Sequence, residues 1–234
     1  MALSGTGAIL IWNGITPEGR DDFYDWHIHE HIPERVAIEG FRRGRRYIAA
    51  TAETQPEFFT LYETANIEVT TSAPYLARLN APTDWTKRAT SHFRDTSRAL
   101  TRVAASAGPG LGGMLATLQF RDTDEGHAAL ARAVDRAPIV VDQLTQISQI
   151  TGAHVCATNT SASAARTAES KDRTDIQAPP IGVVLVEGCN LLSIKSAVEL
   201  VSAQLELQSA DLSIAVGFYQ LEYLRLEQHA RHLS

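Results

Sequence analysis

Two successive stretches of this chain run in the same order, strand-helix-strand-strand-helix-strand, and this repeat restricts the fold more than any other feature of the sequence. In the first, residues 8–15 form a β-rich apolar run, and Thr16-Pro17-Glu18 starts a helix with Thr as N-cap and Pro at the first helical position. The helix is expected to run through Trp26 and His27 to about His31, where Pro33 removes a backbone donor and disfavours α geometry at Ile32. A short turn restarts over 33–38. Gly40 reads as a helix stop, 41–51 as a strand with a bulge at Gly44, and 57–65 as a strand of aromatic and β-branched residues. A short helix capped by Ser72 occupies 72–80, an irregular stretch runs past Trp85 to His92, and 96–105 closes the unit as a fourth strand.

The second half follows suit. Strands are expected at 113–120, 150–158, 182–187 and 214–226, with helices at 124–144, broken at Pro138, and at 191–207. The Gly-rich junction 104–113 divides the chain into an N-terminal unit, 1–107, and a C-terminal unit, 108–234. Each unit is the split-βαβ, ferredoxin-like motif, an α+β arrangement whose four-stranded antiparallel sheet carries two helices on one face and leaves the other bare. Tandem copies can cover each other's bare faces, so the chain is expected to be an intramolecular α+β barrel of two ferredoxin-like units packed sheet to sheet. Residues 158–180 have no aromatic and almost no large apolar side chain, and read as a mobile, disordered loop that cannot offset its ordering entropy.

Composition narrows the function classes. With 21 Lys and Arg against 27 Asp and Glu the net charge is −6, so the global positive field that favours nucleic acid or anionic membranes is absent. Hydrophobic residues at 44% provide for a real core. Cys156 and Cys189 form neither a disulfide framework nor a metal-type cluster, and read as reduced thiols of a cytoplasmic protein. The N-terminus shows no basic leader, and no apolar run approaches the roughly 20 residues that span a bilayer. No G-x-G-x-x-G follows a strand, and neither a P-loop nor a G-x-S-x-G elbow occurs.

The chemistry-bearing segment is Trp26-His27-Ile28-His29-Glu30-His31-Ile32-Pro33-Glu34, which holds three of the eight histidines in five positions. At roughly 100° per residue, Trp26, His27, Glu30 and His31 share one face spanning about 140°, the face begun by Phe23, and His29 points to solvent. A carboxylate and two imidazoles desolvated beside an indole suit proton transfer near neutral pH. The bland reading is a half-buried hydrogen-bonded network. The same residues match H-x-x-E-H, a zinc-peptidase spacing; that chemistry needs a third ligand and a longer helix than Pro33 allows, so no metal is assigned and a zinc site is kept as the lesser alternative.

The run Asp22-Phe23-Tyr24-Asp25-Trp26-His27 to His31-Ile32-Pro33, followed by Gly40-Phe41-Arg42-Arg43-Gly44-Arg45-Arg46-Tyr47, resembles the signature of EthD-like proteins of the dimeric α+β barrel superfamily. In that family an aromatic-rich helix with a His-x-Pro element leads into a Gly-aromatic-Arg-Tyr strand. The resemblance covers roughly residues 8–105. It implies polyketide-type aromatic chemistry. Superfamily relatives include cofactor-free monooxygenases, cyclases, isomerases, dehydratases and haem proteins, so the reaction stays open. The second half resembles a degenerate copy, its helix carrying only Asp124, Glu125 and His127, and one pocket is expected.

The expectation is a small-molecule enzyme without cofactor, of lyase, isomerase or cyclase type, acting on a carbonyl-containing aromatic or polyketide-like compound. His27 or His31 moves the proton, Glu30 orients the imidazole, and Glu34 is a second carboxylate. Trp26 and Trp85 supply apolar walls, His92 helps lid the pocket, and Arg46 or Tyr47, on opposite strand faces, stabilises an enolate. Arg42, Arg43, Arg45 and Arg46 together read as a solvated strand edge. His154 reads as a hydrogen-bonded core residue, and His229 and His232 as part of a polar tail. The alternative is a non-catalytic barrel that sequesters an apolar ligand or binds haem through an inward histidine. Neither nucleic acid nor membrane is a partner, and association into a homodimer is left open.

Overall fold

A computed structural model describes residues 2–207 and 213–227, which leaves His229 and His232 outside the described residues. The N-terminal unit consists of β1 (Gly7–Ile15), α1 (Arg20–Trp26), a π turn (His27–His31), α2 (Ile32–Val36), β2 (Phe41–Ala49), β3 (Phe58–Thr64), α3 (Ala73–Asn80), α4 (Asp84–Ser91) and β4 (Phe93–Ala107). The C-terminal unit consists of β5 (Met114–Phe120), α5 (Asp124–Asp135), α6 (Ala137–Thr145), β6 (Ile150–Thr158), α7 (Thr160–Ala164), β7 (Gly182–Gly188), α8 (Leu191–Gln204) and β8 (Ile214–Leu226). Strand order is β4-β1-β3-β2 in the first unit and β8-β5-β7-β6 in the second. The edges join antiparallel, β2 to β8 and β4 to β6, so the strands close into one barrel with the α+β architecture expected from the repeat.

Alternation along each strand sorts the side chains. Leu10, Trp12, Tyr47, Phe59, Leu61, Leu115, Leu185 and Tyr219 fill the barrel interior. Residues one position away point to the outer faces, where the helices lie. In the C-terminal unit that outer face is filled by aliphatic packing of Leu118, Val184, Val186, Val140, Leu144, Ile194 and Val201.

Two local expectations are corrected. The arginine run is not a solvated edge, because β2 lies between β3 and β8 in the barrel wall. Arg43 and Arg45 point inward, Arg43 Nε donating to Glu63 Oε1 at 2.6 Å and Arg45 pairing with both Glu63 and Glu187 at 2.8 Å. His154 completes the group as a buried core residue, as its sequence context suggested, with Nε2 3.1 Å from Glu187 and Nδ1 2.7 Å from Ser106 Oγ. Secondly, Pro33 does not end the helix. Ile32 keeps φ −65°, ψ −45°, and its N–H bonds to the carbonyl of His27, five residues back. Widening the ladder by one residue relieves the clash a proline ring makes with the carbonyl four residues before it.

Gly44 is where this helix meets the sheet. A Cβ there would stand 2.9 Å from both Ile32 Cγ2 and Tyr62 Cε1. Gly44→Ala is expected to cost about 1–3 kcal/mol through overpacking of helix against strand, measurable by urea denaturation.

The segment 158–180, expected as a mobile loop, is placed across the outer face of the N-terminal sheet. Asn159 caps α7, Thr96 Oγ1 donates to Asp175 Oδ2 at 2.6 Å, Arg173 pairs with the same carboxylate, and buried Arg35 pairs with Glu169 at 2.9 Å. Polar anchors to the first unit supply what apolar burial within the segment does not.

Candidate functional site

Between the outer face of the N-terminal sheet, the histidine helix and segment 163–179 lies a cavity of about 310 Å³. Its floor is a cross-strand row, Thr60 on β3 paired with Ile11 on β1 and Ile11 with Arg98 on β4, with Asn13 two residues along β1. Trp26, His27 and His31 form one wall, and Phe93 adds a second aromatic surface. Segment 163–179, from the second unit, closes the top. The second repeat's outer face is packed solid, yet its long β6–β7 connection covers the first repeat's site.

The π turn sets the histidine geometry. An i→i+5 turn returns His31 over Trp26, where the ring centroids are 4.2 Å apart, whereas uniform α geometry would set them far round the helix. His27 stacks on Phe23 at 4.9 Å and lies 5.5 Å from His31. Both imidazoles are buried, and neither has a hydrogen-bond partner among the described residues, their Nδ1 atoms being enclosed and unpaired. Burial pushes both pKa values well below the ordinary imidazole range, reinforced by the Arg46 and Arg35 charges at His27 and by the Arg35 charge at His31. They are therefore neutral at pH 7. No partner locks the tautomer, so each ring can present a donor or an acceptor to the cavity.

The unfolded chain takes up these protons near pH 6.5 and the folded chain only at lower pH, so stability is fully present above about 6.5 and is lost as pH falls from there towards the folded values. The slope approaches about 1.4 kcal/mol per pH unit per histidine. Urea midpoints measured between pH 7.5 and 5.5 should fall steeply for the wild type and less for His27→Gln/His31→Gln.

Other residues expected in the site stand elsewhere. Glu30 does not orient an imidazole; its Oε1 accepts from Trp26 Nε1 (3.2 Å), Thr83 Oγ1 (2.6 Å) and Thr86 Oγ1 (3.0 Å), which positions the indole. Glu34 pairs with Arg35 and Arg78. Arg46 shares the cross-strand row beside Thr60 but donates to Glu222 and lies over the Tyr24 ring at 4.5 Å. Tyr47 is on the opposite face of β2, inside the barrel, where it accepts from Arg45. Trp85 lies on α4, which Thr83 caps, and His92 follows the last residue of that helix. Trp85 Nε1 donates to Asp22 at 2.9 Å, and His92 pairs with Thr16 at 2.9 Å and covers Gly19. These two pin α4 rather than line the cavity. Among the described residues, no three His, Cys, Asp or Glu side chains are arranged to hold a metal ion.

Asn13, Thr60, Phe93 and Arg98 were missed by sequence reasoning. Asn13 left a trace, a lone amide in the apolar run GAILIWNGI. Thr60 and Arg98 left none, because only strand pairing through Ile11 brings them into one row.

No family profile matches the chain, and a search of curated proteins finds no relative. Solved structures do resemble it. An anthrone oxidase-like protein superposes with a TM-score of 0.61 at 9% identity, covering 98% of this chain and 97% of its own. A candidate monooxygenase of Fusobacterium nucleatum gives 0.52 at 6% identity, covering 96% of each chain. No helix among the described residues is long and apolar enough to cross a membrane. At such identities the shared property is the fold, here a closed eight-stranded antiparallel α+β barrel made by one chain.

Proposed function

We propose that this protein acts on a small carbonyl-bearing aromatic compound by acid–base chemistry, with His27 and His31 moving the proton and no organic cofactor. One observation carries the reading: two neutral imidazoles without hydrogen-bond partners, stacked on aromatic rings, face a cavity with an apolar wall and polar floor. Burial leaves each ring unprotonated and ready to accept. It also makes the imidazolium stable only when negative charge forms beside it, and an enolate supplies that charge. Asn13 and Thr60, buried on the floor, offer donors to the carbonyl oxygen as charge develops there. The step is a proton transfer: the C–H bond α to the carbonyl breaks, its electron pair enters the enolate, and the proton goes to a ring nitrogen. Reprotonation at carbon completes an isomerase-type cycle, and a leaving group at the β carbon makes the same step a lyase reaction.

At about 310 Å³ the cavity lies at the small end of the roughly 300–1,000 Å³ range of ligand pockets, which suits two or three fused rings and not a tetrapyrrole. The EthD-like signature of the helix and following strand supports the same substrate class. Anthrone is the first probe, on chemical grounds and because a structural neighbour is described as anthrone oxidase-like. The test is deuterium uptake in D2O at its C10 methylene, whose C–H bond is conjugated with the carbonyl through both benzo rings and ionises to an enolate-type oxyanion as an α C–H does, followed by NMR with and without protein. Catalysed uptake is expected. Binding without uptake, across a panel of aromatic ketones, would instead support a sequestering protein.

A further inference from the structure

The charges on the cavity lining do not balance. Four permanently or ordinarily charged side chains reach it: Arg98, Arg166, Glu169 and Arg173. Two have counterions of their own. Glu169 is held by Arg35 at 2.9 Å, and Arg173 is paired with Asp175 while its guanidinium lies over the Phe93 ring at 5.0 Å. Arg98 and Arg166 have none. Arg98, half-buried on β4, makes one long hydrogen bond of 3.5 Å to the Ala165 carbonyl, and Arg166 donates to the Ser170 carbonyl at 3.1 Å. Among the described residues neither has a carboxylate partner. A chain of net charge −6 thus gathers two unneutralised guanidinium groups around one small cavity.

Their placement is directional. The histidine helix covers the β2–β3 side of the sheet, with Ile32 against Gly44 and the His31 ring 6.4 Å from that of Tyr62. Arg98 stands on β4, beyond β1, two strand spacings or roughly 10 Å from Thr60 on β3. Arg166 comes down from the covering segment, next to the Ala165 carbonyl that Arg98 touches. The imidazoles hold one flank of the cavity and the two arginines the other.

We propose that the ligand is an aromatic carboxylate, its rings packed against the Trp26 and Phe93 side chains that line the cavity and its carboxylate between Arg98 and Arg166. The planar guanidinium forks match a carboxylate's two oxygens. The proposal rests on the aromatic-ligand reading above and adds to it the charge and the orientation of the ligand.

The experiment titrates wild-type protein with 2-naphthoate and with 2-naphthamide, its uncharged counterpart, by calorimetry, then repeats both titrations on Arg98→Gln and Arg166→Gln. Naphthoate is expected to bind tighter than naphthamide by on the order of tenfold to a hundredfold, and this preference should shrink with added salt. Each Arg→Gln variant should lose most of the preference while keeping its naphthamide affinity, and Arg98→Lys should regain part of it. Both side chains reach the surface, so melting temperatures near that of the wild type are expected, and Arg166→Gln serves alone if Arg98→Gln misfolds. Equal affinities for the two ligands, unchanged by the substitutions, would overturn the carboxylate proposal and leave the aromatic reading standing. Failure of both ligands to bind at millimolar concentration would overturn the two together.

Discussion

A His27→Gln/His31→Gln double variant should take up deuterium into anthrone about 10²–10⁴-fold more slowly than the wild type, the amount a positioned acid–base group contributes. Glutamine keeps much of the imidazole's hydrogen-bonding ability and volume but cannot accept the proton, so binding measured by quenching of indole fluorescence should change little. The single variants discriminate further. If one ring is the base and the other only packs on it, one substitution carries nearly the whole loss. If the two act as a unit, either alone costs almost as much as both. Exchange rates should rise with pH only while the imidazoles are being deprotonated. Because burial keeps both well below the ordinary range, the wild-type rate should already be on its plateau at pH 7. Exchange that is as fast in the double variant would remove the proposed chemistry from this cavity.

The second large effect is on stability. Arg45 is fully buried in the barrel and bonded to Glu63, Glu187 and Tyr47, and it bridges β2 of one unit to β7 of the other. Arg45→Met should destabilise the fold by about 3–5 kcal/mol, since it leaves two carboxylates buried without their shared cation. For a chain of this size that corresponds to a fall in Tm of about 6–20 °C. Glu187→Gln should cost less, because Glu63 still faces Arg45, and the double variant should cost less than the sum of the two. The pH dependence has a definite sign. Burial alone would raise the Glu187 pKa, but the Arg45 charge and the His154 hydrogen bond outweigh it and hold the carboxyl well below its ordinary 4.5. This contribution is present above about pH 4.5 and is lost as pH falls below it, whereas that of His27 and His31 already begins to be lost below about pH 6.5. Thermal melts of wild type and Glu187→Gln should therefore converge in acid.

The repeat itself was legible in the residues. Period-two apolar runs, the Thr16-Pro17 start, the Ser72 cap and the Pro138 break are local signals, and β6 and β8 match their expected spans residue for residue. The histidine-rich helix was equally visible, and Trp26, His27 and His31 do meet at one cavity. Its geometry was not, because angular arithmetic on a uniform α-helix cannot anticipate the π turn that precedes Pro33.

What the sequence alone determined was therefore whatever depends on neighbours a few positions away: the order of elements, the class of fold, and the three ring side chains of the site wall. The tertiary structure decided the rest, for one physical reason. Strand pairing and barrel closure join residues far apart in the chain, and a side chain's charge state and partners depend on what arrives beside it. Closure between β2 and β8 turned the arginine run from an exposed edge into a buried ion network. The cross-strand row through Ile11 brought Thr60 and Arg98 to one floor, and a polar segment of the second unit, held by Thr96 and Arg35, became the cover of the first unit's cavity.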